Sequence, residues 1–120
     1  MKPLPRAEAL AAAVAGRDVE ALGAELAEDV RLRALLPGGL EQVHGRAEVM
    51  ATFRTWFGEH PAVVLDEATG DEVGDRLLVH YRLVFPEGER RVLTQTWVCT
   101  VAADGLLARI DLLCSGYRKF

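Results

Sequence analysis

The sequence has no apolar stretch long enough to cross a membrane and no block of basic residues. A membrane-spanning helix needs about 20 consecutive apolar residues. Nucleic-acid binding needs clustered lysine and arginine, whereas this chain carries a formal net charge of −4. We therefore expect neither a membrane nor a nucleic acid as its partner.

Cysteine is also scarce, since the chain contains only Cys99 and Cys114. Residues 1–6 lack the apolar stretch of an export signal, so we expect a cytoplasmic location and reduced thiols. Neither thiol has a histidine, a further cysteine or a basic residue as an immediate neighbour. Such neighbours would be needed to hold zinc or to activate the sulfur. We predict two unreactive thiols, no metal and no cofactor.

Half of the residues are hydrophobic, which is enough to bury the core of one domain spanning residues 1–120. The alanine-rich residues 7–15 predict a helix, and a second helix is predicted over residues 19–27. Apolar and basic residues alternate at the start of residues 30–36, which indicates a strand. A third helix is predicted to begin within residues 44–48, followed by aromatic residues at helical spacing.

The remainder of the chain reads as strands separated by turns. The predicted turns are residues 69–71, 86–89 and 104–105. The predicted strands are residues 62–66, 76–85, 90–102 and 106–114. Helices followed by consecutive strands predict an α+β fold in which three N-terminal helices pack on a curved antiparallel sheet.

The strand register predicts which side chains face the helices. Asp104-Gly105 is typical of a two-residue type I′ turn, which would pair Ala103 with Leu106. The facing pairs would then be Gln95 with Cys114, Trp97 with Leu112, and Cys99 with Ile110. The two thiols would lie about four residues apart along the strands, beyond disulfide reach.

The preceding hairpin leaves two registers open. A three-residue loop over residues 87–89 places Tyr81 opposite Gln95, whereas a four-residue loop places His80 there. The alternation of apolar residues favours Tyr81 on the inner face, because a one-residue slip would bury Arg82 without an obvious partner.

Several short motifs resemble the SnoaL-like branch of the nuclear transport factor 2-like superfamily. They are Gly-Arg-Asp-Val-Glu-Ala-Leu at residues 16–22, His-Gly-Arg-Ala-Glu-Val at residues 44–49, and Asp-Gly-Leu-Leu-Ala-Arg-Ile at residues 104–110. The resemblance implies a cone-shaped domain whose curved sheet wraps around the helices and leaves an apolar pocket. It also implies a homodimer formed through the outer face of the sheet.

This superfamily includes ketosteroid isomerases, polyketide cyclases and noncatalytic binders, so the fold does not choose the function. Alignment with ketosteroid isomerase places Ala34 at the position of that enzyme's general base. Trp97 falls at the position of its protonated aspartate, and Leu10 falls near the position of its oxyanion tyrosine. Neither Ala34 nor Leu10 can supply that chemistry. Whether the protein is an enzyme stays open.

Our leading hypothesis is that the cone binds a small apolar or aromatic molecule. Trp97, Tyr81 and Gln95 would hold it. The other residues predicted to line the pocket are Leu32, Phe53, Trp56, Cys99, Ile110 and Leu112.

Two alternatives remain. In the first, an isomerase, cyclase or dehydratase uses His44, Asp29 or His80 as a relocated acid or base. In the second, the protein is a noncatalytic homodimerisation module. Its contact surface would be the semi-apolar outer sheet face, formed by Thr94, Thr96, Val98, Thr100 and Leu113.

Overall fold

Three helices and seven strands make up the part of the chain that the computed structural model describes, residues 4–119. The helices are α1 (Pro5–Ala15), α2 (Val19–Gly23) and α3 (Arg46–Phe57). The strands are β1 (Leu26–Leu36), β2 (Gly39–His44), β3 (Val64–Val73), β4 (Arg76–Phe85), β5 (Arg91–Val101), β6 (Leu107–Cys114) and β7 (Arg118–Lys119). None of these helices is long and apolar enough to cross a membrane.

The sheet has the strand order β2-β1-β6-β5-β4-β3, and β7 pairs with β5. Helix α1 packs on β3 and β4, while α3 packs on β1 and β2. The predicted α+β fold with helices on one sheet face is thus confirmed. The sheet is mostly antiparallel, with one parallel pair formed by β1 and β6. These two strands are far apart in sequence, so no hairpin forces them to be antiparallel.

The registers of the three central strands agree with the prediction. Tyr81 lies opposite Gln95 and Val79 opposite Trp97, so the Tyr81 register is confirmed over the His80 register. On the other side of β5, Gln95, Trp97 and Cys99 face the predicted residues of β6.

The turn between β5 and β6 differs from the predicted type I′ turn. Asp104 does not adopt a positive φ, whereas Gly105 has a φ of 86°. The amide of Ala102 donates to the carbonyl of Leu106, which makes a three-residue loop. A bulge near Ala108 then restores the predicted pairing beyond it. The bulge offsets the extra residue of the loop. Beyond it, the pairs of facing residues on β5 and β6 are therefore the predicted ones.

The N-terminal boundaries need larger corrections. The second helix, predicted over residues 19–27, ends at Gly23, and its last residues instead begin β1. The short strand β2, which the sequence did not predict, begins at Gly39 directly after the turn at Pro37-Gly38. The third helix begins at Arg46, within the predicted range. As an edge strand paired only with β1, β2 is mostly exposed and shows no clear apolar alternation.

Gly70 lies inside β3 rather than in the predicted turn at residues 69–71. A Cβ at this position would lie 2.6 Å from the carbonyl oxygen of Leu78 and closer still to the Cβ of Ala7 in α1. Glycine is therefore needed for the close approach of helix to sheet, not for a turn. Composition alone does not distinguish these two uses of glycine.

We expect Gly70→Ala to lower the free energy of unfolding by about 1–3 kcal/mol, because the new methyl group overpacks the contact between α1 and the sheet. Urea unfolding measures the change. Gly38→Ala is the matched control, since a Cβ there meets no atom within 4 Å. Equal effects of the two substitutions would contradict this account of Gly70.

Candidate ligand-binding site

A pocket of about 550 Å³ opens where the ends of several elements meet. One wall is the C-terminal end of α3, and the opposite wall is the chain after β6. The floor comes from β5, and the end of β1 completes the rim. The lining residues are Leu36, Pro37, Trp56, Phe57, Leu93, Gln95, Cys114, Ser115, Gly116 and Tyr117. Most of this surface is apolar, which suits an organic molecule better than an ion.

A chain of two hydrogen bonds ends at the floor of the pocket. The indole N–H of Trp97 donates to the hydroxyl of Tyr81 across 3.0 Å, and that hydroxyl donates to Oε1 of Gln95. Each of the three side chains is at most 1% exposed. Burial raises the pKa of Tyr81 well above its ordinary value, so the hydroxyl keeps its proton at neutral pH.

The direction of these two hydrogen bonds determines which polar group of Gln95 faces the pocket. An indole nitrogen can only donate, so the oxygen of Tyr81 accepts from it and directs its own proton to Gln95. The side-chain carbonyl of Gln95 is thereby occupied. Its NH2 group has no hydrogen-bond partner among residues 4–119 and remains available to a ligand. The pocket floor thus offers one oriented donor for an acceptor such as a carbonyl oxygen.

The rim of the pocket carries a second polar pair. Nε2 of His60 lies 2.8 Å from the hydroxyl of Tyr117, and the guanidinium of Arg91 lies over the Tyr117 ring at 4.8 Å. Burial, followed by the nearby charge of Arg91, lowers the pKa of His60. Burial also raises the pKa of Tyr117. Both groups are therefore neutral near pH 7, and the hydroxyl can donate to the ring nitrogen.

The residues that the sequence predicted for the pocket fall into two groups. Trp56 and Gln95 line the pocket directly. The others belong to the packed core beneath it, where each is at most 3% exposed: Leu32, Phe53, Tyr81, Trp97, Cys99, Ile110 and Leu112. Phe53 packs between the pocket lining and the core, because its ring contacts both Trp56 of the lining and Trp97 of the core.

The three relocated acid or base candidates lie away from this pocket. His80 is on the outer sheet face, where its Nδ1 is 2.8 Å from the hydroxyl of Thr96. His44 ends β2, and Asp29 is exposed on β1. Ala34 is fully buried in β1.

The C-terminal segment is the part of the site that sequence reasoning missed. Gly116 has a φ of 72°, and a Cβ there would lie 2.6 Å from Cγ of Pro37. This close contact brings Tyr117 back over the pocket beside α3. The one signal in the sequence was an aromatic residue directly after a glycine at the end of the last long strand.

Both cysteines are free, and burial raises the pKa of Cys99 to about 12, so this thiol stays protonated. Among residues 4–119 no group of three or more potential metal ligands occurs.

We expect Tyr81→Phe to lower the free energy of unfolding by about 2–4 kcal/mol, because it leaves the buried polar atoms of Trp97 and Gln95 without partners. Tyr117→Phe removes an exposed hydroxyl and should cost less than about 1 kcal/mol. Urea unfolding of both variants measures the difference. Similar losses would show that the buried hydrogen bonds of Tyr81 contribute no more to the free energy of unfolding than an exposed hydrogen bond does.

Comparison with solved structures finds the same architecture in proteins of several bacteria. A protein of Kribbella flavida with the provisional name ketosteroid isomerase is 25% identical with a TM-score of 0.65, and the match covers 95% of this chain and 78% of that one. A Pseudomonas putida protein provisionally named polyketide cyclase is 21% identical with a TM-score of 0.67, covering 88% and 85% of the two chains.

A third structure, an NTF-2 like protein of unknown function from Burkholderia xenovorans, is 16% identical with a TM-score of 0.70. That match covers 90% of this chain and 78% of the other. A search of curated proteins found no match. A family model described as the SnoaL-like domain matches residues 7–110. The chain therefore belongs to the SnoaL-like domain family and has the nuclear transport factor 2-like fold.

Proposed function

We propose that this protein binds a small, mainly apolar or aromatic molecule that carries one hydrogen-bond acceptor. The supporting observation is the apolar pocket with the oriented NH2 group of Gln95 at its floor. Trp56 and Phe57 offer aromatic faces to the body of the ligand. Tyr81 and Trp97 act indirectly, by holding the Gln95 amide in one orientation. We place this activity in the cytoplasm, where free thiols persist.

Binding fits the pocket better than the acid or base chemistry of the isomerases and cyclases. Such reactions need a titratable group within hydrogen-bond reach of the substrate. The titratable side chains that line this pocket are Cys114 and Tyr117, and burial raises the pKa of Tyr117. His60 stands beside Tyr117 at the rim, outside the lining, and its Nε2 is engaged by the Tyr117 hydroxyl at 2.8 Å. His44, Asp29 and His80 do not reach the pocket. We therefore propose a binding protein rather than an enzyme of that type.

Titration with Prodan, a fluorescent aromatic ketone, tests the proposal. Entry into the pocket should shift the dye emission to shorter wavelength in a saturable manner. Gln95→Met should weaken binding about three- to tenfold, the value of one hydrogen bond. Trp56→Ala should weaken it by at least as much, because it removes a wall of the pocket.

The matched control is Gln42→Met, the same substitution at an exposed glutamine on the opposite sheet face. It should leave the affinity for Prodan unchanged. Absence of saturable binding would refute the proposal, as would equal affinity in the Gln95 and Gln42 variants.

A second proposal concerns the outer sheet face, which we propose to be covered by a second copy of this chain. Leu35, Leu40 and Leu113 stand side by side across three strands and are 50–57% exposed, and Val98 lies beside them. These residues line a shallow groove of about 450 Å³. Arg33 and Asp111 flank the groove as an ion pair. A surface with an apolar centre and both charges at its edge is complementary to itself under two-fold symmetry.

Light scattering at tens of micromolar protein should therefore give twice the chain mass of 13.1 kDa. Leu113→Asp should shift the mass to the monomer, because it places a charge at the centre of the contact. Val73→Asp, at an apolar residue 63% exposed on the far edge strand, should leave the dimer intact. A monomeric mass for the unaltered protein would contradict the proposal.

A further inference from the structure

The outer face of the sheet is ordered in rows that run across the strands. One row consists of His44, Arg31, Arg109 and Thr100, each directly opposite the next on neighbouring strands. The next row begins with Gln42, Arg33 and Asp111. The apolar row of Leu40, Leu35 and Leu113 follows, so it lies four residues from Arg31 along β1, about 13 Å away.

Cationic side chains are therefore neighbours in the first row although the chain is acidic overall. Arg31 stands directly opposite Arg109, and like charges in such facing positions destabilise a sheet. Asp111 is the carboxylate that compensates them, but it binds Nε of Arg33 at 2.9 Å and Nε of Arg109 at 3.4 Å. The side chain of Arg31 has no ion pair or hydrogen bond with another residue of the described chain.

These side chains converge on a hollow of about 290 Å³, separate from the ligand pocket. Its polar lining comes from Arg31, Arg33, Arg109, Gln42 and His44. Three arginines and one aspartate leave two positive charges unbalanced, with the guanidinium N–H groups as donors. That arrangement matches a tetrahedral dianion in both charge and hydrogen-bonding capacity.

We propose that this hollow is an oxyanion site that binds a phosphate group. Arg31 and Arg109 would contact the phosphate oxygens from two adjacent strands, and His44 and Gln42 would contact it from β2. The bound anion would also remove the repulsion between the two facing arginines. The site is independent of the apolar pocket and of the ligand binding proposed there, but Arg33 also lines the groove proposed as the dimer contact.

NMR titration of the 15N-labelled protein tests the site, with inorganic phosphate and methyl phosphate as the probes. Ionic strength is held constant with chloride, and acetate serves as a monovalent carboxylate. Both phosphates should shift the amide signals of residues 31–33, 42–44 and 109–111 in a saturable manner, with acetate much weaker. Saturable binding by neither phosphate, or equally strong binding by acetate, would overturn the proposal.

Two substitutions should move the affinity in opposite directions. Arg31→Gln should weaken phosphate binding about tenfold or more, the effect of losing one charge-assisted contact. Asp111→Asn should strengthen it about threefold to tenfold, because it frees Arg33 and Arg109 from their carboxylate. A gain of affinity cannot come from a damaged fold, so this arm separates a binding site from a general loss of structure.

Arg54→Gln on α3 is the control for the charge change, since Arg54 is exposed and lies on the helical side of the molecule. It should leave phosphate affinity unaltered. The proposal fails if the Arg54 and Arg31 variants bind phosphate equally well, or if Asp111→Asn weakens binding. It also fails if Arg31→Gln changes only the oligomeric mass.

Discussion

The hydrogen-bond chain from Trp97 through Tyr81 to Gln95 allows polar atoms of three side chains to lie inside an apolar core. A buried polar group without a partner is costly, so each member of the chain depends on the next. The chain also has a direction, since an indole can only donate. That direction leaves the Gln95 amide as a donor at the base of the pocket, and the same contacts that satisfy the core therefore prepare the site.

The sheet separates two kinds of surface because successive side chains of a strand point to opposite faces. On β5, Gln95 and Trp97 face the helices while Thr96 and Val98 face outward. The inner face supports an apolar pocket with one oriented donor. The outer face carries an apolar row and a cationic row some distance apart. One strand register thus positions the apolar pocket and the outer surface together.

The sequence predicted the central strands well because two signals agreed there. The apolar alternation of β4 favoured the register that places Tyr81 opposite Gln95, and the Asp104-Gly105 turn set the pairing of β5 with β6. The exact turn type at Asp104 was wrong, yet the bulge near Ala108 compensated for it. The sequence analysis failed where one residue type has two structural uses, and where a strand lacks an apolar pattern. Gly70 marks a close helix contact rather than a turn, and β2 is an exposed edge strand with little patterning.

The sequence by itself determined the α+β class and the inward-facing side chains Tyr81, Gln95 and Trp97, because these depend on local periodicity and on pairing across short hairpins. The family was indicated separately, by the resemblance of its short motifs. Only the tertiary structure decided where the pocket opens. Its walls come from α3, the end of β1 and the segment around Tyr117, which are distant in sequence and meet through the contact of Gly116 with Pro37. The parallel pairing of β1 with β6 likewise sets Arg31 beside Arg109. Contacts between such distant segments leave no periodic trace in the sequence, since they arise only when the whole sheet and its helices pack together.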